Sequence, residues 1–544
     1  MRPPDLVMRL ERMGASHATR LSFMRQLIRR LHADGSVVER NLWQICAQGY
    51  GRAVYSLLLG GHRYSLCAFS RALDAADRTD RVIANAWDAT FVLYDGVPGK
   101  SELERIEANA TRQEAGRYSP KELVLSRANR SIRIFGHVVD RLAAGKQPDA
   151  GLVVRTGYLM RTTAVYGNGK FGLADRDRIA SRPALSAPFQ AEMLTVWLIR
   201  GFTHDLVQHI AACRQPDQFQ PLCRKIRRHL GIGNATGLGM APFLVSHPVL
   251  FNNWMRARET ALARICALER TDDATVAAFM AVLNRARAHF AELEIEDALQ
   301  SHKNQLLRRE LSEFEPTLLG RPHPWRQLIN ESKCRSLEFQ ELLVAIAIEP
   351  HASLVDDLCA EMASPVNAEI RPGSEISDLR RLYERHFGWV GEFDMTCPDA
   401  SRMFWYVSEE KLEPRLGDAQ RDPGIERALP LDTARQLAEL GGELFQCSDR
   451  TVAEFLIRRP GLRHAVRRLQ TAESCTYSEI RANLTGFGIR PIDMLRSKLA
   501  FFGAERFDPK SDLWTRITMY SGAPDFSSIG AGDADDWAFA SLYP

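Results

Sequence analysis

Two apolar runs, Val54-Tyr55-Ser56-Leu57-Leu58-Leu59 and Tyr64-Ser65-Leu66-Cys67-Ala68-Phe69, flank the pair Gly60-Gly61. Consecutive glycines adopt the positive φ angles of a tight turn without steric cost, so the stretch predicts an antiparallel hairpin. Phe91-Val92-Leu93-Tyr94, closed by Asp95-Gly96, reads as a third strand. Leu21 to Leu31 carries apolar residues at helical spacing, with Arg25, Arg29 and Arg30 on the other side. The first segment therefore mixes sheet with helix.

Helical punctuation dominates the chain beyond the third strand. Ser101 with Glu104 forms a capping box, and Ser119-Pro120-Lys121-Glu122 combines an N-cap, a first-turn proline and a third-position Glu. These signals predict a helix from Pro120 to Ala144, stopped by Gly145. From Ala187 to about Phe314 the pattern is almost wholly helical, with first-turn prolines at Pro188 and Pro248 and a cap at Thr271-Asp272. Met403 to Val407 reads as a strand and Glu409 to Pro430 as a surface loop. Helices are predicted at Asp432 to Leu440, after a capping box at Thr476 with Glu479, and at Ile492 to Phe502. The Gly/Ser-rich stretch Ser521 to Gly532 reads as a mobile tail.

A chain of 544 residues is too long for one ordinary core, and polar, Pro-bearing stretches at 145–151 and 315–324 supply boundaries. The expected class is α+β, predominantly α-helical. A mixed domain spans 1–148, a helical middle domain 149–315, and a mixed, mainly helical domain 325–544, with short antiparallel strands in the two flanking segments. The formal charge of +4 is too mild to indicate nucleic acid. The ten cysteines show no C-x-x-C spacing and sit mostly in apolar runs, which reads as reduced core thiols and predicts no metal site. No run approaches the roughly 18 uncharged apolar residues of a membrane span, and the start lacks the apolar stretch of a secretory signal. A soluble, cytoplasmic protein is expected, with no membrane partner. Cofactor and oligomeric state stay open.

Candidate chemistry concentrates between Gly157 and Glu259. One Gly-rich stretch, Gly157 to Gly172, carries Arg155, Arg161 and Lys170 beside it or within it, suited to neutralising an anion, with Tyr158 and Tyr166 for stacking or hydrogen bonding. Its Gly167-Asn168-Gly169 equally reads as a plain turn. A second, Gly231 to Gly239 with Gly233, Asn234 and Gly237, has the glycines of a dinucleotide fingerprint but follows a basic, helix-like run where that motif needs a strand. It reads as a helix-to-helix connection offering backbone N–H groups. His204, Asp205 and His247 are the candidate acid–base groups, Asp205 and His209 sharing a helix face and Ser246-His247-Pro248 opening a helix.

The adjacent pair His204-Asp205 resembles the helical HD-type metal phosphohydrolases. That resemblance implies an upstream His and a downstream Asp as further metal ligands, for which His137 and Asp272 are available. The leading expectation is an enzyme or ligand-binding protein acting on a small anionic molecule. The rival is a non-catalytic interaction protein that contacts nucleic acid or a protein through Arg-bearing helices such as Arg224 to His229. Convergence of the Gly-rich stretches with His204 and His247 into one pocket favours the first.

Overall fold

The structure, a computed structural model, describes residues 1–78, 86–110, 119–164, 182–237, 248–363, 370–392, 394, 396, 405–407, 414–416, 432–477, 493, 495–510, 514–530 and 535–543. The fold is α+β and predominantly helical, with 54% of the described residues in helices. The hairpin forms as its glycines dictate. β1 (Val38–Ile45), β2 (Gly51–Leu59) and β3 (His62–Ser70) run antiparallel, with Gly60 at φ 59° and Gly61 at φ 75° between the last two. β4 (Ala89–Asp95) continues the sheet and contains the predicted third strand.

The segment 120–144 departs from its expected single helix. Glu122–Arg130 is a strand, β5, buried at every position, and the helix is confined to Phe135–Ala143. A strand covered on both faces loses the alternation that would mark it in sequence. On one face, Leu103 and Ile106 of the helix Lys100–Ala110 pack on Val54, Val92 and Leu125.

β6 (Tyr158–Thr162) and β7 (Gly231–Gly237) extend the sheet, pairing parallel to each other. Gly231 to Gly237 is thus a strand and not a connection between helices. A Cβ at Gly233 would lie 2.6 Å from the Tyr158 ring, and one at Gly231 2.3 Å from the Met519 carbonyl. Those glycines admit neighbours rather than a ligand. β8 (Trp405–Val407) and β9 (Pro414–Leu416) form a separate pair. β10 (Phe507–Pro509) and β11 (Trp514–Met519) close the large sheet, in the order β1-β2-β3-β4-β5-β6-β7-β11-β10. The boundaries expected near 148 and 315–324 therefore do not separate independent sheets: all three segments contribute strands to one.

Six long helices frame the second face and the junction beyond it: α1 (Phe23–Ala33), α2 (Gln190–Arg214), α3 (Pro248–Ala267), α4 (Asp273–Glu292), α5 (Ala298–Glu313) and α6 (Leu337–Ile348). Pro248 opens α3, and Asp272 caps α4 by accepting from the Thr275 N–H at 2.7 Å. α2 lies across the sheet with Phe202 against Tyr55 and Phe91, and every residue from Gln190 to His204 is buried. α7 (Ile376–Phe387), α8 (Asp432–Gln446) and α9 (Arg463–Ser474) build a smaller core of their own. α8 runs through Gly441, where a Cβ would lie 2.4 Å from the Tyr383 ring. α10 (Leu495–Phe502) ends at Gly503, φ 96°.

The described part of the tail is packed, which corrects the expectation of mobility there. Ser521, Ala523, Asp525, Ser528 and Ile529 are buried. Phe526 lies on Trp197 of α2, and the Trp197 indole donates to the Pro524 carbonyl at 2.9 Å. The polar and small residues there satisfy buried carbonyls and fill narrow gaps, so composition alone misleads. A Cβ at Gly201 would stand 1.9 Å from the Phe526 ring. Gly201→Ala, which gains helix propensity in isolation, should therefore destabilise the protein by about 1–3 kcal/mol through overpacking, measured by urea unfolding. An unchanged or raised stability would mean the tail is not docked on α2.

Candidate functional site

Among the described residues, those expected from sequence lie at separate places in the fold and none lines the cavity described below. His204 is buried on α2, and burial together with Arg200 and Arg227 holds its imidazole well below its usual range. Asp205, on the next position of the helix, accepts from the Tyr55 hydroxyl at 2.7 Å and lies 3.6 Å from Arg40. Burial raises its carboxyl despite those partners. His209 shares the Asp205 side, between the Trp43 indole at 3.3 Å and the Cys46 carbonyl at 3.1 Å.

The further ligands implied by the phosphohydrolase resemblance are engaged elsewhere: His137 accepts from the Asp149 N–H at 3.2 Å, and Asp272 is a helix cap. Among the described residues no group of three or more His, Cys, Asp or Glu side chains is placed to hold a metal. Arg155 is exposed, whereas Tyr158 and Arg161 are buried within β6. Asn234 is buried in β7 and donates to the Thr162 carbonyl at 2.5 Å, and Gly237 pairs with Trp514 across the sheet. Tyr166, Lys170 and His247 lie outside the described residues, as do Gly167 to Gly169, Glu479 and most of the loop expected from Glu409 to Pro430, whose described part, Pro414–Leu416, is the strand β9.

A different site is present. A cavity of about 70 Å³ lies where the N-terminal segment, α4, α5, α6, α10, the start of β10 and the C-terminal residues Trp537 to Phe539 meet. Its walls carry buried polar atoms without protein partners. Asn304 of α5 uses its Nδ2 on the Phe290 and Leu293 carbonyls, at 3.4 and 3.3 Å, which leaves Oδ1 unpartnered. Gln300, one turn earlier, has its Oε1 unpartnered, as are Ser22 Oγ and Arg25 Nε. Such atoms in a polar cavity are satisfied by water or by ligand.

Two imidazoles and two carboxyls supply the chemistry. His17 packs edge-on against Phe290 with ring centroids 5.6 Å apart, and its Nε2 stands 3.4 Å from Glu338 Oε2 without a hydrogen bond. Burial and the nearby Arg496 keep it neutral. His289 contacts the Ala540 carbonyl through Nδ1 at 2.9 Å. A carbonyl only accepts, so Nδ1 donates and Nε2 is the free base. Burial holds its pKa at about 4.

Burial pushes the Glu338 carboxyl up, but Arg496, donating to it at 2.9 Å, outweighs this and keeps it ionised. Glu505 has no such partner for Oε2, and burial raises its carboxyl well above the usual range. A carboxyl raised above its usual range and two imidazoles held below theirs thus line one cavity, a clustering of perturbed titratable groups found at functional sites.

Arg506 completes the cavity. It lines the cavity, partly exposed, at φ 39°, a left-handed conformation unusual for a residue with a side chain, and no described residue hydrogen-bonds or ion-pairs with its guanidinium. Gly157 makes room for it: a Cβ there would stand 2.7 Å from Arg506 Nη1. The Gly-rich stretch of the sequence thus backs the site through Gly157, while the cavity itself draws on residues scattered from Ser16 to Phe539. No local motif spans that separation. Compared with known protein families, curated proteins and solved structures, the chain matches none.

The imidazoles set an acid limit. His289 titrates at about 4 and His229, behind the cavity, at about 3, in both cases because burial disfavours the charged ring. Below the unfolded value near 6.5, the unfolded chain takes up protons that the folded chain refuses, so these groups cost stability as pH falls from 6.5 toward 4. Glu505 acts in the opposite sense, its raised carboxyl binding a proton more readily in the folded state. His289→Gln should flatten the acid loss between pH 7 and 4 by about 3 kcal/mol, read from urea unfolding at several pH values. Parallel pH profiles for variant and parent would place His289 in water.

Proposed function

We propose that the protein binds a small anionic molecule in the cavity between α4, α5, α6 and the C-terminal segment, and carries out proton transfer on it. The observation behind this reading is Arg506, a partly exposed guanidinium on the cavity wall without a hydrogen-bonding or ion-pairing partner among the described residues, in a cavity ringed with unpartnered polar atoms. A guanidinium withdrawn from bulk water without an ion pair costs stability. A bound anion relieves that cost, and the fork of an arginine matches a carboxylate or phosphate bidentately.

His289 Nε2 and the Glu505 carboxyl then stand at the ligand as base and acid, while Glu338, fixed by Arg496, orients His17. The described cysteines are all free thiols, which supports a reducing, cytoplasmic setting. No helix among the described residues is long and apolar enough to cross a membrane.

The test is thermal unfolding with formate, acetate, lactate, phosphate and sulfate. At a hundred times its Kd a ligand specific for the native state adds about 2.7 kcal/mol. Arg506→Gln should abolish the stabilisation while leaving the ligand-free protein as stable as the parent or more so, because it removes a charge without an ion pair. Anion stabilisation that survives in Arg506→Gln would remove the cavity as the site.

A further inference from the structure

The cavity's size, its charge balance and the kind of polar atom left free narrow the ligand further, on the reading that this cavity is the binding site. A volume of about 70 Å³, at roughly 10–15 Å³ for each water-sized group, admits about five to seven heavy atoms. That is a molecule of three or four carbons and excludes nucleotides and sugar phosphates.

The charged groups lining the cavity are three arginines, Arg25, Arg496 and Arg506, and three glutamates, Glu338, Glu349 and Glu505. Arg25 is paired with Glu349 at 2.9 Å and Arg496 with Glu338 at 2.9 Å. Arg506 makes no ion pair with Glu505 or with any other described residue, although Asp508 and Glu505 favour its charged form, and burial raises the Glu505 carboxyl well above its usual range. Arg506 is therefore the arginine of the lining without an ion pair among the described residues, and a single carboxylate matches it. A dianion overshoots, and a zwitterion leaves the balance unchanged.

On the α5 wall, away from Arg506, the free atoms are acceptors. Asn304 Oδ1 is fixed in that orientation because its Nδ2 is committed to two carbonyls, and Gln300 Oε1 lies one helical turn away on the same face of α5. Neutral amide oxygens in a buried site call for hydroxyl donors. A site built to bond a hydroxyl rejects an analogue lacking it strongly, because its own acceptors are then left bare. We infer that the ligand is a small hydroxycarboxylate monoanion of three or four carbons, its carboxylate on Arg506 and its hydroxyl on Gln300 and Asn304.

Isothermal titration calorimetry of the full chain tests this with lactate and glycerate against propionate, serine and inorganic phosphate, on the parent, Gln300→Met and Arg506→Gln. The expected result is lactate or glycerate binding at least tenfold tighter than propionate or serine, with that preference reduced about tenfold in Gln300→Met and all binding lost in Arg506→Gln. Asn304→Leu serves as the second variant if Gln300→Met does not fold, checked by its unfolding curve.

Equal affinity for lactate and propionate, with binding still dependent on Arg506, overturns the hydroxyl assignment and leaves the cavity as the site. Tighter binding of serine or phosphate overturns the charge assignment in the same way. No binding of any probe, or binding indifferent to Arg506→Gln, overturns the cavity reading itself.

Discussion

Arg200, at the centre of α2, donates to five backbone carbonyls: Leu230 at 2.8 Å, Pro524 at 3.1 Å, Arg227 at 3.3 Å, Arg228 at 2.8 Å and Ala523 at 3.0 Å. A guanidinium has five N–H groups in a rigid plane, so it is the side chain best suited to serve several carbonyls at once. Through it, the helix that spans the sheet holds both the approach to β7 and the C-terminal segment following β11. Burial pulls its pKa down to about 10, still charged at neutral pH. Without this clamp those carbonyls are buried without donors, and the return of the chain that completes the sheet is lost. Glu505 and Arg506 lead directly into that return, so the cavity depends on it too.

The cavity is closed by a second set of charges. Arg20 grips Asp356 at 2.6 and 2.7 Å and reaches Asp535 at 2.9 Å, and Arg29 reaches Asp535 at 3.3 Å. These contacts hold the residues just before Trp537 against the N-terminal segment. Glu292 accepts from the backbone N–H groups of Leu542 and Tyr543, at 3.1 and 2.6 Å, fixing the other end. Between the two tethers Phe539 sits at φ 58°. A strained residue persists where its surroundings over-determine it, and such residues cluster at binding sites.

What the sequence made legible was local. Gly60-Gly61 set the hairpin because only a turn with two positive φ angles joins strands two residues apart. Asp272 and Pro248 marked helix starts through the chemistry of their own turn. β5 was illegible because burial on both faces erased its period, and Ser119-Pro120 mimicked a helix start before it. Gly231 to Gly237 was illegible because glycines demanded by Tyr158 and Met519 have the same appearance as glycines demanded by a phosphate. The site was hidden for a topological reason. His17, His289, Gln300, Glu338 and Arg506 come from five separate segments, and no spacing rule connects them. The expectation of a small anionic ligand carries over as a proposal, on residues other than those the sequence singled out.

The most direct measurement is an experimental structure of the protein soaked with glycerate. The expected result is the ligand between Arg506 and the side chains of Gln300 and Asn304, its carboxylate within hydrogen-bond distance of the guanidinium. A cavity holding only water, with glycerate bound beside Arg155 or His204 or nowhere, would contradict it.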